Sequence, residues 1–160
     1  MLMTTIPTPI GEFHACADAR GLCRLLFPDR SGPDFPGRIR RIQPEKHPVF
    51  FQLGQQLNEY LQKKRHVFEL PLSIQGTTFQ RSVWDLLREI PYGQTSSYGE
   101  LGEKLGSRNK ARAVGGAAHV NPIPIIIPCH RLIGAGGSLT GFAGGLNIKK
   151  YLLKLEGFPA

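Results

Sequence analysis

The chain has 160 residues, 41% of them hydrophobic and 20% charged, which is typical of a globular protein with one ordinary domain or two small ones. Twenty Lys and Arg against twelve Asp and Glu give a net charge of +8, which favours a polyanionic partner, nucleic acid first and an anionic membrane surface second. No apolar run is long enough to span a membrane and no signal-peptide core is present, so we expect neither a membrane protein nor a secreted one.

The first 70 residues predict a small unit of sheet and helix. Short apolar segments at residues 13–16 and 22–27 are separated by Gly and Asp turns, the pattern of a strand meander. A loop rich in Pro, Gly and Arg follows over residues 28–48. Apolar residues at helical spacing come next, and we expect the basic run 63–65 to close that helix and residues 66–70 to form one more strand.

The three cysteines show no disulfide framework, so we expect reduced thiols and a cytoplasmic protein, or a nuclear one in a eukaryote. His14, Cys16 and Cys23 are not at compact ligand spacing, and no structural metal is expected. We place a domain boundary in the stretch 71–76, giving domains of residues 1–72 and 73–160.

The second half is mainly helical. Thr77 and Gln80 form a capping-box pair that opens one helix, and Ser97 and Glu100 form a pair that opens another. Gly106 suits the end of the second of these helices. A further helix over about 110–120 follows a short Gly-containing turn, which predicts a helix-turn-helix, although any helical hairpin with a Gly turn has a similar pattern.

Two adjacent glycines, Gly115 and Gly116, interrupt this last helix at a cost of about 1 kcal/mol each relative to Ala. Two interpretations stay open. The helix packs tightly against a neighbour, or it is slim enough to lie against a confined groove such as the DNA minor groove, about 6 Å wide, with Arg112 as its long side chain. Residues 104–112 contain four basic residues and no acid, which suits phosphate neutralisation. These are Lys104, Arg108, Lys110 and Arg112.

A triple-isoleucine run leads into Pro128-Cys129-His130-Arg131. The β-branched residues predict a buried strand that Pro128 ends, which would deliver the Cys129 thiol to a rigid corner beside an imidazole and a guanidinium. An inert buried cysteine and a reactive nucleophile are both compatible with this pattern. Asn121 links the preceding helix to this corner and would cap the helix, tie loop carbonyls or simply form a turn.

A loop with six glycines spans residues 134–145 and is expected to cover the Cys129 corner. The last helix ends at Glu156-Gly157. Because a helix C-terminus disfavours a negative charge, an acid there indicates a cationic partner that holds it.

Residues 77–157 resemble the C-terminal domain of O6-alkylguanine-DNA alkyltransferases. The resemblance rests on a set of motifs at family spacing: Phe79-Gln80-Arg81-Ser82-Val83-Trp84, Ser97-Tyr98, Ala111-Arg112-Ala113-Val114-Gly115-Gly116-Ala117, Asn121-Pro122, Pro128-Cys129-His130-Arg131 and the stretch 149–157. The first 70 residues are similar to that family only in length and pattern. The implied fold is α/β (α+β), with a small RNase H-like N-terminal domain of sheet and helix and a mainly helical, winged-helix-like C-terminal domain containing the helix-turn-helix.

The resemblance also implies roles. The catalytic group comprises Cys129 as nucleophile, His130 as its base through a water, Glu156 orienting His130, Tyr98 donating to N3 of guanine, and Asn121 as hinge. The DNA-binding group comprises Ser97, Arg108, Lys110, Ala111, Arg112, Ala113 and Gly115, with Arg112 filling the place of a flipped base. The substrate pocket comprises Pro124, Arg131, Phe142, Ala143 and Lys149. Many members carry a Tyr where Phe142 stands, and we expect activity to survive because backbone N–H groups can still contact O6.

The implied function is repair of duplex DNA by irreversible, single-turnover transfer of the alkyl group from O6-alkylguanine, and from O4-alkylthymine, to Cys129 after base flipping. No cofactor is expected, since no dinucleotide or phosphate-binding glycine motif is present. The expected partner is damaged duplex DNA, and no membrane partner is expected. The expected state is a monomer, with cooperative binding on DNA left open.

Two alternatives remain. The first is a non-catalytic lesion-binding protein of the alkyltransferase-like type, and the presence of Cys129 argues against it. The second is a Cys-His-Glu hydrolase unrelated to DNA, and the basic helix that carries Arg112 argues against it.

Overall fold

A computed structural model describes residues 1–28, 39–139 and 145–158, so that Phe142 and Ala143 lie outside the described residues. The chain divides into two compact units, Met1–Gln75 and Gly76–Ala160. The first is built on a sheet and the second is mainly helical, which confirms the mixed fold class expected from the sequence. Among the described residues, no helix combines the length and apolar character needed to cross a membrane.

The N-terminal unit is built on a four-stranded sheet. Strands β1 (Leu2–Thr8), β2 (Gly11–Ala17) and β3 (Leu22–Leu26) form the predicted antiparallel meander. A short strand β4 (Arg40–Arg41) pairs in parallel with the start of β1, so the strand order is β3-β2-β1-β4. The Pro, Gly and Arg content of residues 28–48 predicted a loop, which is wrong for these two residues.

Helix α1 (Pro48–Leu61) packs on this sheet and completes the core of the unit. Pro48 occupies the first turn, where its missing N–H costs nothing. The buried face of α1 carries apolar side chains at helical spacing, as the sequence predicted. These are Val49, Phe50, Leu53, Leu57, Tyr60 and Leu61.

The basic run 63–65 closes α1 as predicted, but the strand predicted after it is wrong. The last residue of α1 is Leu61, Lys63 adopts a positive φ of 63°, and the N–H groups of Lys63 and Lys64 donate to carbonyls of the last turn at 3.0 and 2.8 Å. Residues 66–70 form no strand. The Glu69 backbone instead bonds the Gln56 side chain, its N–H donating to Oε1 at 2.9 Å and its carbonyl accepting from Nε2 at 3.0 Å. A side chain therefore satisfies the backbone groups that a strand would pair.

The described residues of the C-terminal unit form four α-helices, short 3-10 turns and a two-stranded parallel ladder. The helices are α2 (Thr78–Arg88), α3 (Tyr98–Lys104), α4 (Ala111–His119) and α5 (Leu146–Leu155). The ladder joins β5 (Ser96–Ser97) to β6 (Leu132–Ile133). The ladder holds the start of α3 beside the segment that follows Cys129.

The helix starts follow the sequence closely. Thr77 and Gln80 form the full capping box before α2, with reciprocal bonds of 3.1 and 3.0 Å. The second pair forms only half a box. The Ser97 hydroxyl accepts from the Glu100 N–H at 3.1 Å, but the Glu100 carboxylate accepts from the Ser96 hydroxyl instead.

Helices α3 and α4 form the predicted helix-turn-helix. Gly106, at a φ of +119°, ends α3 as expected, and a 3-10 turn over Arg108–Lys110 leads into α4. A Cβ at Gly102 would lie 2.8 Å from the Ser107 carbonyl oxygen, so the turn packs directly on α3. The Trp84 indole N–H donates to the Ala117 carbonyl at 2.9 Å and anchors α4 on α2.

The strand predicted over residues 125–127 does not form. The segment makes a tight turn in which Ile125 has a φ of +73° and the Ile127 N–H donates to the Ile123 carbonyl at 2.9 Å. The isoleucines are nevertheless buried, as their composition predicted. Pro124 and Pro128 on either side lack the N–H donors that a ladder needs, so burial is achieved by a turn rather than by a sheet.

Candidate functional site

The Cys129 thiol lies at the start of a 3-10 turn, Cys129–Arg131, directly after the buried isoleucine turn. The residue is buried, with a relative exposure of 7%. Burial raises the pKa of the Cys129 thiol to about 11, while a hydrogen bond from the Asn121 side chain and the charge of Lys149 act in the opposite direction. The thiol is therefore uncharged at neutral pH unless a neighbouring group takes its proton.

His130 and Glu156 form a fully buried pair. The His130 Nε2 and Glu156 Oε2 atoms are 2.6 Å apart, and both side chains have an exposure of 0%. Burial lowers the pKa of His130 although the Glu156 contact opposes this shift, so the imidazole is neutral. Because a carboxylate only accepts hydrogen bonds, the proton of the neutral ring sits on Nε2.

The other ring nitrogen of His130 then carries the lone pair. Nδ1 is buried and has no hydrogen-bond partner among the described residues. A buried, unpaired acceptor is costly and is rare in folded proteins. A neutral imidazole with an unpaired Nδ1 lone pair can accept a proton.

The Glu156 carboxylate receives four donors in the interior. Besides His130, the Arg131 Nε and Nη2 atoms donate to it at 2.9 and 3.0 Å, and the Gly93 N–H donates at 3.0 Å. A further Arg131 N–H donates to the Ile90 carbonyl at 2.7 Å. Arg131 is thus the cationic partner that the helix-end position of Glu156 predicted.

Three of the residues that the resemblance placed in the substrate pocket lie within the described part of the chain: Arg131, Lys149 and Pro124. The guanidinium of Arg131 faces Glu156 and the Ile90 carbonyl and donates hydrogen bonds to both. Lys149 is buried, its ammonium donates to the Leu132 carbonyl at 2.6 Å, and burial lowers the pKa of Lys149. Pro124 is half-buried and bridges to Ile127.

Asn121 ties the loop between α4 and the thiol. Its amide NH₂ donates to the Ile127 carbonyl at 2.8 Å, and its amide oxygen accepts from the Ile123 N–H at 2.9 Å. Of the three interpretations left open by the sequence, the structure supports the tie to loop carbonyls. One side chain therefore couples the end of α4 to the turn that holds Cys129.

The two glycines of α4 have different surroundings. A Cβ at Gly115 would lie 3.5 Å from the ring of Tyr98, an ordinary contact, whereas a Cβ at Gly116 would meet nothing within 4 Å. Packing inside the protein therefore does not explain Gly116. Arg112, Ala113 and Gly116 are exposed, so a bare stretch of α4 with one long cation faces outward.

The remaining predicted DNA-binding residues are engaged within the helix-turn-helix. The Arg108 guanidinium pairs with exposed Glu103 at 3.1 Å, and the Lys110 ammonium donates to the Leu105 carbonyl at 2.6 Å, near the end of α3. The Ser97 hydroxyl caps α3. Ala111 precedes Arg112 at the start of α4 and is half-buried. These contacts shape the motif, while Arg112 extends from it.

Sequence analysis missed the part played by the turn after α2. The residue types of Pro91-Tyr92-Gly93 predict only a turn, whereas Ile90 and Gly93 both contact the Arg131–Glu156 pair. No spacing signal connects Gly93 with a residue more than sixty positions later, and only backbone atoms are used. A contact of this kind is invisible in residue types.

Comparison with known proteins gives a consistent result. Residues 78–158 match the model of the 6-O-methylguanine DNA methyltransferase DNA-binding domain, and residues 1–74 match the ribonuclease-like domain of the same group. A methylated-DNA–protein-cysteine methyltransferase of Methanosarcina acetivorans is 50% identical over 161 residues, covering 98% of this chain and 99% of its own. The constitutive enzyme of Bacillus subtilis is 39% identical over 154 residues, covering 96% and 93%. The crystal structure of Mycobacterium tuberculosis OGT in complex with DNA has a TM-score of 0.87 at 39% identity, covering 98% and 92%.

Replacing Arg131 is expected to destabilise the protein because it leaves the buried Glu156 carboxylate short of donors. Removing one partner of a buried ion pair costs about 3–5 kcal/mol, and we expect Arg131→Met to lower the free energy of unfolding in urea by about that amount. The double variant Arg131→Met/Glu156→Gln removes both charges with groups of similar size and should be more stable than Arg131→Met alone. Equal or greater loss in the double variant would contradict the pairing.

Proposed function

The chain belongs to the 6-O-methylguanine DNA methyltransferase family, and we propose that it repairs DNA by transferring the alkyl group from O6 of a damaged guanine to its own Cys129. The observation that carries the proposal is the buried Cys129-His130-Glu156 arrangement. The thiol is adjacent in the chain to a neutral imidazole that is held on Glu156 at 2.6 Å and whose Nδ1 has no partner among the described residues.

The proton leaves the thiol first. Glu156 keeps one proton on His130 Nε2, so Nδ1 accepts the proton of Cys129, through a water in this proposal, and the resulting imidazolium is stabilised by the carboxylate. This removes the need for a thiolate at rest, which burial disfavours. The Lys149 charge favours the thiolate once it forms.

The displacement itself needs no further electron source. The thiolate donates its electron pair to the saturated alkyl carbon, the C–S bond forms as the C–O6 bond breaks, and the guanine takes the released pair. A proton from the Tyr98 hydroxyl to N3 neutralises the departing guanine in this proposal. The imidazolium of His130 then releases its proton to water and the Tyr98 phenolate takes one from water, so both side chains return to their neutral forms. The thioether product is not reversed by water, so each chain acts once.

The substrate class follows from where the reacting atoms lie. O6 of guanine is stacked inside duplex DNA, so the nucleotide has to be flipped out before Cys129 can reach it. The exposed face of α4, with Arg112, Ala113 and Gly116, supports contact with a narrow groove, and Arg112 would fill the vacated space. The substrates proposed are O6-alkylguanine first and O4-alkylthymine second.

One chain supplies the whole proposed site, since its residues from Ser97 to Glu156 belong to one compact unit. We therefore propose a monomer as the active form. Its three cysteines are free, as suits a reducing cytoplasm. The non-catalytic lesion-binding alternative is disfavoured because such a protein has no use for a cysteine held beside a base.

The direct test is incubation with a duplex carrying O6-methylguanine, followed by the intact mass of the protein and a peptide map. We expect the mass to rise by one CH₂, a methyl group replacing a proton, on the Cys129 peptide. Cys129→Ser should gain nothing while still binding the duplex. An unmodified wild-type protein that binds the damaged duplex would favour the lesion-binding alternative, and neither binding nor transfer would reject both.

Arg112→Ala is expected to slow transfer from duplex DNA far more than transfer from free O6-benzylguanine, because only the duplex requires base flipping. Flipping costs a few kcal/mol, so we expect a duplex-specific loss of roughly tenfold or more, measured as the ratio of the two rate constants. Arg81→Ala, an exposed arginine on α2, is the matched control and should leave the ratio unchanged. Equal losses on both substrates would remove the flipping role.

Gly116→Ala is expected to stabilise the protein while weakening its hold on DNA. An Ala is about 1 kcal/mol better than Gly in a helix, and its Cβ would stand in open space on the outer face of α4. Urea unfolding should show the gain and duplex titration the loss. Gly54→Ala in α1, whose Cβ would make an ordinary 3.7 Å contact with Ile6, is the control expected to leave affinity unchanged. Undiminished affinity in Gly116→Ala would exclude close approach at this point.

A further inference from the structure

The end of α5 is held by a turn that takes no part in the transfer chemistry. The Tyr92 hydroxyl donates to the Leu155 carbonyl at 3.2 Å, one of the last carbonyls of α5 that lack a partner within the helix. The next residue, Gly93, donates its N–H to the Glu156 carboxylate at 3.0 Å. Burial and the Glu156 charge raise the pKa of Tyr92, so its phenol stays protonated and remains a donor.

The backbone of this turn requires glycine. Gly93 has a φ of +79°, a conformation that side chains rarely adopt, and a Cβ there would lie 3.1 Å from the Glu156 carbonyl oxygen. Only a residue without a side chain combines the bend with so close an approach to the helix end. The position of Glu156 is therefore fixed from outside α5 as well as by α5 itself.

Residues 90–93 also hold Arg131, the cation that pairs with Glu156. The Ile90 carbonyl accepts from Arg131 at 2.7 Å, and the Arg131 guanidinium carbon lies 5.8 Å from the centroid of the Tyr92 ring. Residues 90–93 thus contact both the acid and its arginine. A carboxylate fixed from two sides can keep the imidazole of His130 in one orientation.

We propose that Tyr92 and Gly93 are positioning residues for Glu156, holding its carboxylate where it keeps the His130 proton on Nε2 and the lone pair on Nδ1. The inference rests on the proposed alkyl transfer to Cys129. The contacts that carry the inference are those of Tyr92 with Leu155 and Arg131 and of Gly93 with Glu156. Their effect reaches the reaction only through the ability of His130 to take the thiol proton.

That route has a pH signature. When His130 takes the thiol proton, the proton stays within the Cys129–His130 pair. The rate of alkylation therefore changes little with pH once the imidazole is neutral. When Glu156 is displaced, the thiol has to lose its proton to solvent, and the reactive fraction rises with pH toward the thiol pKa of about 11. If a variant displaces Glu156, its loss of alkylation rate relative to wild type is therefore largest near neutral pH and becomes smaller at alkaline pH. If a variant only reduces the amount of folded protein, alkaline pH does not restore the rate.

The first experiment compares Gly93→Ala with Gly157→Ala. Gly157 also has a positive φ, of 90°, but a Cβ there would meet nothing within 4 Å, so it imposes similar strain beside Glu156 without the contact. The rate constant for alkylation of Cys129 by free O6-benzylguanine is measured from about pH 6.5 to about pH 9.5. We expect Gly93→Ala to lose roughly tenfold or more at neutral pH, as befits a weakened general base, and to approach wild type in alkali. Gly157→Ala should keep the wild-type profile shape.

A second pair of variants avoids backbone strain and decides the matter if Gly93→Ala does not fold. Tyr92→Phe removes only the hydroxyl bond to Leu155, and Tyr92→Leu also removes the ring beneath Arg131. In both variants the rate constant for Cys129 alkylation should rise more steeply with pH than in wild type, and the rise should be steeper in Tyr92→Leu than in Tyr92→Phe. Profiles parallel to wild type in these variants, or the same steepening in Gly157→Ala, would overturn the positioning role and leave the transfer function standing. A wild-type protein that takes no alkyl group would overturn the transfer function, and this inference with it.

Discussion

The buried carboxylate of Glu156 is the constraint on which the rest of the C-terminal unit depends. It sits at the C-terminal end of α5, where the helix dipole disfavours a negative charge, and its side chain is removed from water. An unpaired charge in that place would be prohibitively unfavourable, so several donors must converge on it. Those donors come from two separate parts of the chain: Gly93 in the turn after α2, and His130 and Arg131 in the turn that begins at Cys129. Satisfying one acid thereby assembles the site.

Hydrogen bonds and stiff backbone, rather than buried charges, connect α4 to the turn that holds Cys129. Asn121 bonds both ends of the isoleucine turn, and α4 begins ten residues earlier with its outward face nearly bare of side chains. The proline-rich link has few conformations of its own. The end of α4 and the turn that holds Cys129 are therefore joined by hydrogen bonds and by a stiff stretch of backbone. If α4 contacts DNA as proposed, recognition and chemistry would share this segment.

The sequence was informative wherever the signal is local. Capping residues located the starts of α2 and α3, Gly106 located the end of α3, and the Cys129 motif located the thiol. It was misleading where a distant group competes with a local preference. The isoleucines were buried as expected, but flanking prolines forced a turn. Residues 66–70 were predicted as a strand, but the Glu69 backbone bonds the Gln56 side chain instead of a neighbouring strand.

The candidate site divides in the same way. Residue type and motif identified Cys129, His130 and Glu156 as candidates, because a thiol, an imidazole and a carboxylate each have a known range of reactions. Their supports were only partly identifiable: Asn121 was expected to tie loop carbonyls and Glu156 to have a cationic partner, but that partner was not named. Arg131 was assigned to the substrate pocket, since a guanidinium beside a cysteine does not reveal its direction, and Gly93 acts through its backbone alone. Orientation and main-chain donors become visible only in three dimensions.

Burial of the thiol is best understood as protection that the base can reverse. A thiolate of low pKa is available at all times but is a weaker nucleophile, since nucleophilicity falls with pKa. A thiol whose pKa burial raises to about 11 is inert at rest, and its conjugate base is the stronger nucleophile once formed. A reagent used once gains more from this second arrangement, because reaction with any stray electrophile would waste the chain. In the proposed mechanism, the neutral His130 aligned by Glu156 would make the buried thiol usable at neutral pH.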